Sequence, residues 1–319
     1  AWGYFKKIAI ADVLCSSVDI VYNQVTNFTG LALAVATFFY AFQVYCDFSG
    51  YSDIARGVAC LFDMDLVNNF KSPYFAASVK EFWSRWHISL SSWFRDYVYI
   101  PLGGSRAGKW KTYRNLVLTF LVSGLWHGAN WTFVIWGGLH GVAQIVERIW
   151  NQYFPPRKER RSPFRVLLTF AFVTLAWLFF RANTMSDAIY ILTHIFQGIT
   201  QPVEYVRECY VSFKNAGLIQ STELKLVLFW VVLLMVHDYL ALKSDVWKWF
   251  GRLWKPVRYA FYFALLFVAL QPAAGRVQLC LFSILKRERI HETIFKKDCA
   301  LCDIYPGSGA CHSHGSGSL

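Results

Sequence analysis

The stretch FLVSGLWHGANWTFVIWGGLHG, residues 120–141, lies inside a run from 115 to 146 that contains no Asp, Glu, Lys or Arg. As one helix, at ~1.5 Å per residue, these 32 residues would reach ~48 Å. That is too long for an untilted crossing of a ~30 Å hydrocarbon core and too short for two full crossings of ~20 residues each. The run therefore predicts a broken or re-entrant arrangement. GLWHGANW supplies the break, because Gly124 and Gly128 relax the backbone and Asn130 can bond the polar groups that a break frees. Irregular backbone at membrane depth survives only where it is buried in protein or lines a cavity, which places His127 at a bend inside the protein. An ionisable residue there points to function. The competing reading is a histidine that only ties two helices together by hydrogen bonds.

The rest of the chain fits the same solvent. Of 319 residues, 55% are hydrophobic and 16% charged, with 14 Trp and 28 Phe, unlike an average soluble domain. Further uncharged runs lie at about 20–46, 166–180, 226–236 and 259–275. The expectation is an all-α polytopic membrane protein.

The formal charge of +12 does not call for nucleic acid, because the basic residues collect between the apolar runs. Residues 71–114 hold eight Lys/Arg against Glu81 and Asp96, 157–165 hold five against Glu159, and 243–258 hold five against Asp245. By the positive-inside rule these three loops face the cytoplasm, next to anionic lipid headgroups, and the more acidic 183–223 faces outward. After about Gly275 the composition changes. CxxC at Cys299 and Cys302, followed by His312 and His314, is a weak zinc or redox signal without a second pair, so no metal is expected. Residues 1–275 read as the membrane domain and 276–319 as a divergent tail.

Two more segments carry candidate residues. SPYFAASVKEFWSRWHISLSSWFRDYVYIPLGGSR, residues 72–106, places Phe82, Trp86, Leu90, Trp93 and Tyr97 on one helical face, suited to the membrane interface. Pro101, Gly103 and Gly104 end that element. His87 stands in it beside Arg85 and Trp86. In YCDFSGYSDIARG, residues 45–57, Asp47, Ser49 and Ser52 follow an apolar span directly, and Asp47 and Asp53 on their own read as helix-end caps.

In this order and spacing, DFSGYSDIARG, FWSRWHISLSSWFRDYVYIPLGG and LVSGLWHGANWTFVIWGGLHG resemble the membrane-bound O-acyltransferase family. The likeness is strongest to its bacterial branch, which serves alginate acetylation and teichoic acid D-alanylation. It covers about residues 1–275, and the opening GYFKKIAIAD resembles an internal segment of the family, implying further N-terminal spans. The resemblance implies a ring of helices, some broken or re-entrant, around a central tunnel in the bacterial cytoplasmic membrane. It implies His127 as the catalytic residue and His87 as a second functional position, with Trp126, Asn130, Asp47 and Arg85 as candidates for the substrate pocket.

The implied reaction moves an acyl group, acetyl by preference, to hydroxyls of an extracytoplasmic polysaccharide such as alginate. Its donor would be acetyl-CoA or an acyl carrier acting as co-substrate, with no bound cofactor. A separate periplasmic or surface esterase-like (SGNH) protein is the implied partner. Imidazole, with an ordinary pKa near ~6.5, can take the proton of the attacking hydroxyl at neutral pH. No GxSxG elbow marks a serine nucleophile. The competing functions are D-alanyl transfer, a secondary transporter with histidines in a proton relay, and a non-catalytic scaffold.

Overall fold

A computed structural model describes residues 1–106, 108–154, 162–218 and 222–273. The tail, with its CxxC and histidines, and most of the 157–165 basic loop lie outside them. The described residues are helical, and their only β feature is an isolated bridge between Phe70 and Trp86. The helices are α1 (Trp2–Tyr4), α2 (Asp12–Tyr22), α3 (Gly30–Leu61), α4 (Val79–Trp83), α5 (Ile88–Phe94), α6 (Lys109–His127), α7 (Trp131–Tyr153), α8 (Pro163–Arg181), α9 (Met185–His194), α10 (Pro202–Asn215), α11 (Thr222–Ala241), α12 (Val246–Gly251) and α13 (Lys255–Ala273). A π-helical segment, Phe5–Ala11, joins α1 to α2.

The decisive stretch folds as a helical hairpin, α6 and α7, broken at residues 128–130. Gly128 leaves α6 in extended backbone, and the Asn130 side chain caps α7 by accepting from the Thr132 amide at 3.1 Å. Basic and polar flanks, from Lys109 and out to Tyr153, supply the length that the uncharged run lacks. Contrary to the expectation from sequence, Gly124 does not make the break; it sits inside α6 and permits contact. A Cβ there would stand 2.3 Å from the Phe133 carbonyl oxygen, and one on Gly137 would stand 2.2 Å from that of Phe120. The two backbones touch because neither position carries a side chain.

Three described helices are long and apolar enough to cross a membrane: Gly30–Leu61, Pro163–Arg181 and Leu224–Ala241. Of their most apolar windows 56%, 33% and 28% respectively is buried. Hence α3 is central, whereas α8 and α11 keep apolar side chains such as Leu167, Leu168, Phe229 and Val232 on the outer surface. The run expected to span from about residue 20 to 46 is interrupted by a 3-10 turn at Val25–Asn27, and α3 starts only at Gly30.

That late start carries α3 on to Leu61 and moves Asp47 and Asp53 into mid-helix, so neither caps a helix end. Their partners come from the π-helical segment. Lys6 reaches Asp53 and the Ser49 hydroxyl, each at 2.8 Å, and Lys7 reaches Asp47 at 2.5 Å and Asp12 at 3.2 Å. Between these pairs α1 and α3 meet glycine to glycine. A Cβ on Gly3 would lie 2.6 Å from the Gly50 oxygen. DFSGYSD is thus a crossing motif in which Gly50 provides the approach, Asp53 and Asp47 pair with the buried Lys6 and the half-buried Lys7, and Ser49 accepts a hydrogen bond from Lys6.

Candidate active site

His127 ends α6, half-buried, at the open end of the hairpin. Aromatic rings surround it: Trp126 at 4.9 Å between centroids, Phe180 of α8 at 5.0 Å, Trp136 of α7 at 5.3 Å and Phe133 at 6.4 Å. Three helices therefore fix its setting. The turn beside it is held by Asn183, whose carbonyl lies 3.5 Å from Asn130 Nδ2 and whose own amide donates to the Tyr22 carbonyl at 3.1 Å. Next to Asn183, Arg181 donates to Asp19 and lies over the Tyr22 ring. The ends of α2, α6, α7 and α8 are joined by that network.

His87 arrives from a different part of the chain. The segment from 79 to 99 is not one continuous aromatic helix: α4 stops at Trp83, His87 adopts left-handed backbone (φ 44°, ψ 57°), and α5 starts at Ile88. Asn69 holds the kink, its carbonyl accepting from the Ile88 amide at 3.2 Å and its side chain from the Ser89 amide at 3.0 Å. The predicted aromatic face is therefore split. Phe82 and Trp86 turn into the core, whereas Trp93 and Tyr97 remain 50% and 67% exposed. The His87 ring packs edge-on against Phe48 of α3 at 4.6 Å and lies within electrostatic range of His127.

His87 and His127, forty residues apart in sequence and on separately built elements, stand within electrostatic reach of each other. Trp126 adjoins His127 but is 60% exposed, with Phe94 as a further ring neighbour at 6.4 Å. Asn130 is a helix cap. Asp47 is engaged by Lys7, and its neighbour Phe48 carries the contact to His87. Arg85 pairs with Glu81 at 2.6 Å and donates to the carbonyls of Lys71 and Ser72, bracing the loop before the kink.

Two polar residues escaped the sequence reading. His140, fully buried on α7, accepts a 3.2 Å hydrogen bond from the Trp83 indole at Nδ1. Trp136 links it to His127, its ring lying 5.2 Å from one imidazole and 5.3 Å from the other. Asp238, 4% exposed on α11, accepts from the Tyr45 hydroxyl at 2.6 Å and contacts His237 at 3.2 Å. His140 was visible as a second imidazole in the charge-free run, and Asp238 as an acid closing an apolar helix.

An all-α membrane protein with paired histidines at a helix break defines the class. A family model described as the membrane-bound O-acyltransferase family matches residues 4–186, more than half of the chain, and the chain belongs to that family. It is 44% identical over 193 residues to a peptidoglycan O-acetyltransferase of Helicobacter pylori, covering 60% of this chain and 36% of the relative. Against a probable alginate O-acetylase of Azotobacter vinelandii it is 45% identical over 186 residues, covering 58% and 37%. A teichoic acid D-alanyltransferase of Streptococcus thermophilus is 36% identical over 119 residues, covering 35% and 28%. The matched stretch thus spans between 28% and 37% of the length of these curated relatives.

Proposed function

We propose that the chain carries the histidine site of a membrane-bound O-acyltransferase that takes part in moving an acyl group across the membrane to hydroxyls of an extracytoplasmic polysaccharide. The observation that carries this reading is the convergence of His127 and His87, from two motifs, at the broken end of a rigid hairpin. The acyl group is acetyl, in keeping with the relatives named for O-acetylation at 44% and 45% identity. D-alanyl transfer is the weaker reading, since that likeness covers 35% of the chain. The donor is an acyl thioester such as acetyl-CoA or an acyl carrier, presented from the cytoplasmic side of a bacterial inner membrane. A periplasmic SGNH-type protein passes the group to the polymer.

In the transfer step His127 takes the proton of the attacking hydroxyl as its oxygen bonds to the thioester carbonyl carbon. The carbon–sulfur bond then breaks, and the imidazolium returns the proton to the departing thiolate. A positioned base of this kind contributes ~10²–10⁴-fold. His87 faces the same reacting centre and orients or hydrogen-bonds the acyl carbonyl.

His127→Ala tests the assignment. The hairpin is held by Gly124, Gly137 and the Asn130 cap, so this variant should accumulate in the membrane at the wild-type level while acyl groups on isolated polysaccharide fall by ~10²-fold or more. Near-normal acylation at matched protein level would return His127 to a packing role and leave transport or scaffolding as the function.

A further inference from the structure

His87 can act with His127 only if two separately built parts of the chain are held in register, and the contacts between α4 and α7 are placed to do this. Trp83, four residues before His87, donates its indole N–H to His140 Nδ1 at 3.2 Å. Glu147, two turns further along α7, accepts from the first amides of α4, Val79 at 2.9 Å and Lys80 at 3.3 Å. Residues seven apart share one face of a helix, so α7 grips both ends of α4. Ring contacts complete the grip, with Phe82 stacked on His140 and Trp83 edge-on to Trp136 and Phe120.

The chemistry of the buried contact is constrained. An indole N–H only donates, so His140 Nδ1 must be the accepting, unprotonated nitrogen and the ring proton sits on Nε2. A nitrogen committed in this way is not free to shuttle protons. From this geometry we infer that His140 and Glu147 are positioning residues whose clamp on α4 sets His87 against His127. The role rests on the histidine-pair reading of the site, yet the clamp is measurable without any turnover.

In the full-length protein freed of other cysteines, His87→Cys and His127→Cys are joined by a short bifunctional thiol cross-linker in native membranes. The yield is compared with His140 intact, with H140F and with H140N. Phenylalanine keeps a ring but no acceptor, whereas asparagine offers an oxygen close to the position of Nδ1. The yield should fall several-fold in H140F and recover in H140N. With both native histidines restored, H140F should lower kcat for acetyl transfer from acetyl-CoA by about tenfold to a hundredfold with donor KM unchanged, the scale of a small misplacement of a reacting group. H140N should stay within about threefold, a difference well under one decade of rate.

Glu147 provides the second route should H140F fail to accumulate. It lies nearer the surface; E147L should reduce the cross-link and E147Q, which keeps an acceptor oxygen, should preserve it. Unchanged cross-linking in H140F or in E147L, or equal loss in the acceptor-keeping and acceptor-free members of each pair, would overturn the clamp. A His127→Ala protein that still acylates would overturn the proposed base while leaving the cross-link result standing.

Discussion

His87 pairs the imidazole proposed above to act in transfer with a backbone conformation that a side chain disfavours, and the two are separable. Left-handed backbone costs an ordinary L-residue roughly 1–2 kcal/mol, which glycine avoids. His87→Gly should therefore melt at or above His87→Ala in detergent, while both lose acyl transfer to the same extent. A glycine variant that retained transfer would assign the position to chain direction alone. RWHIS drew attention to His87 but did not show the kink: periodicity from Phe82 to Tyr97 reads as one helix, and the hydrogen bonds that break it come from Asn69, 19 and 20 residues before the amides it accepts from. The same distance hid His140, whose partner Trp83 is 57 residues away.

At the scale of elements, small residues decide how closely helices approach. Gly137→Ala would drive a methyl group into the Phe120 carbonyl and force α6 and α7 apart, costing roughly 1–3 kcal/mol, the usual range for overpacking. Gly138→Ala is the internal control, since its new carbon would meet only the end of the Leu121 side chain at 3.5 Å. Thermal unfolding of the two purified variants should separate them clearly, with Gly138→Ala near wild type. The hairpin itself was readable from a run with the wrong length for one crossing or two. What the run could not show is the division of labour between its glycines, because Gly124 as a flexible point and Gly124 as a contact look identical in sequence. In YCDFSGYSDIARG the acids invited a pocket or a cap for a related reason: their lysines lie some forty residues earlier in the chain, and only the crossing at Gly3 and Gly50 brings them together.

For the whole molecule the charge pattern sets an orientation. Ser162 lies within the basic loop 157–165, directly before α8, whereas 183–223 follows that helix in sequence. In a cysteine-free background a cysteine at Ser162 should resist an impermeant thiol reagent added to intact cells and react once the membrane is opened. Labelling from outside would invert the orientation and place the donor on the wrong side of the histidines. Composition alone made the helical class plain, since few soluble folds carry so much aromatic surface with so few charges. The centrality of α3 was not readable there, because an apolar side chain against lipid and one against protein obey the same hydropathy.

The two histidines also differ in how firmly they are mounted. His127 stands on a hairpin whose backbones touch, a joint that cannot slide without breaking van der Waals contact along its length. His87 stands in the kink that follows a five-residue helix, α4, which is tied at one end by a carboxylate and at the other by an indole, and its left-handed backbone stores strain. Of the two mounts, the kink at His87 is the one whose displacement relieves strain, while the hairpin under His127 has none to release. Amide exchange in the membrane-embedded protein should be faster through residues 84–89 than along the facing turns of α6 and α7.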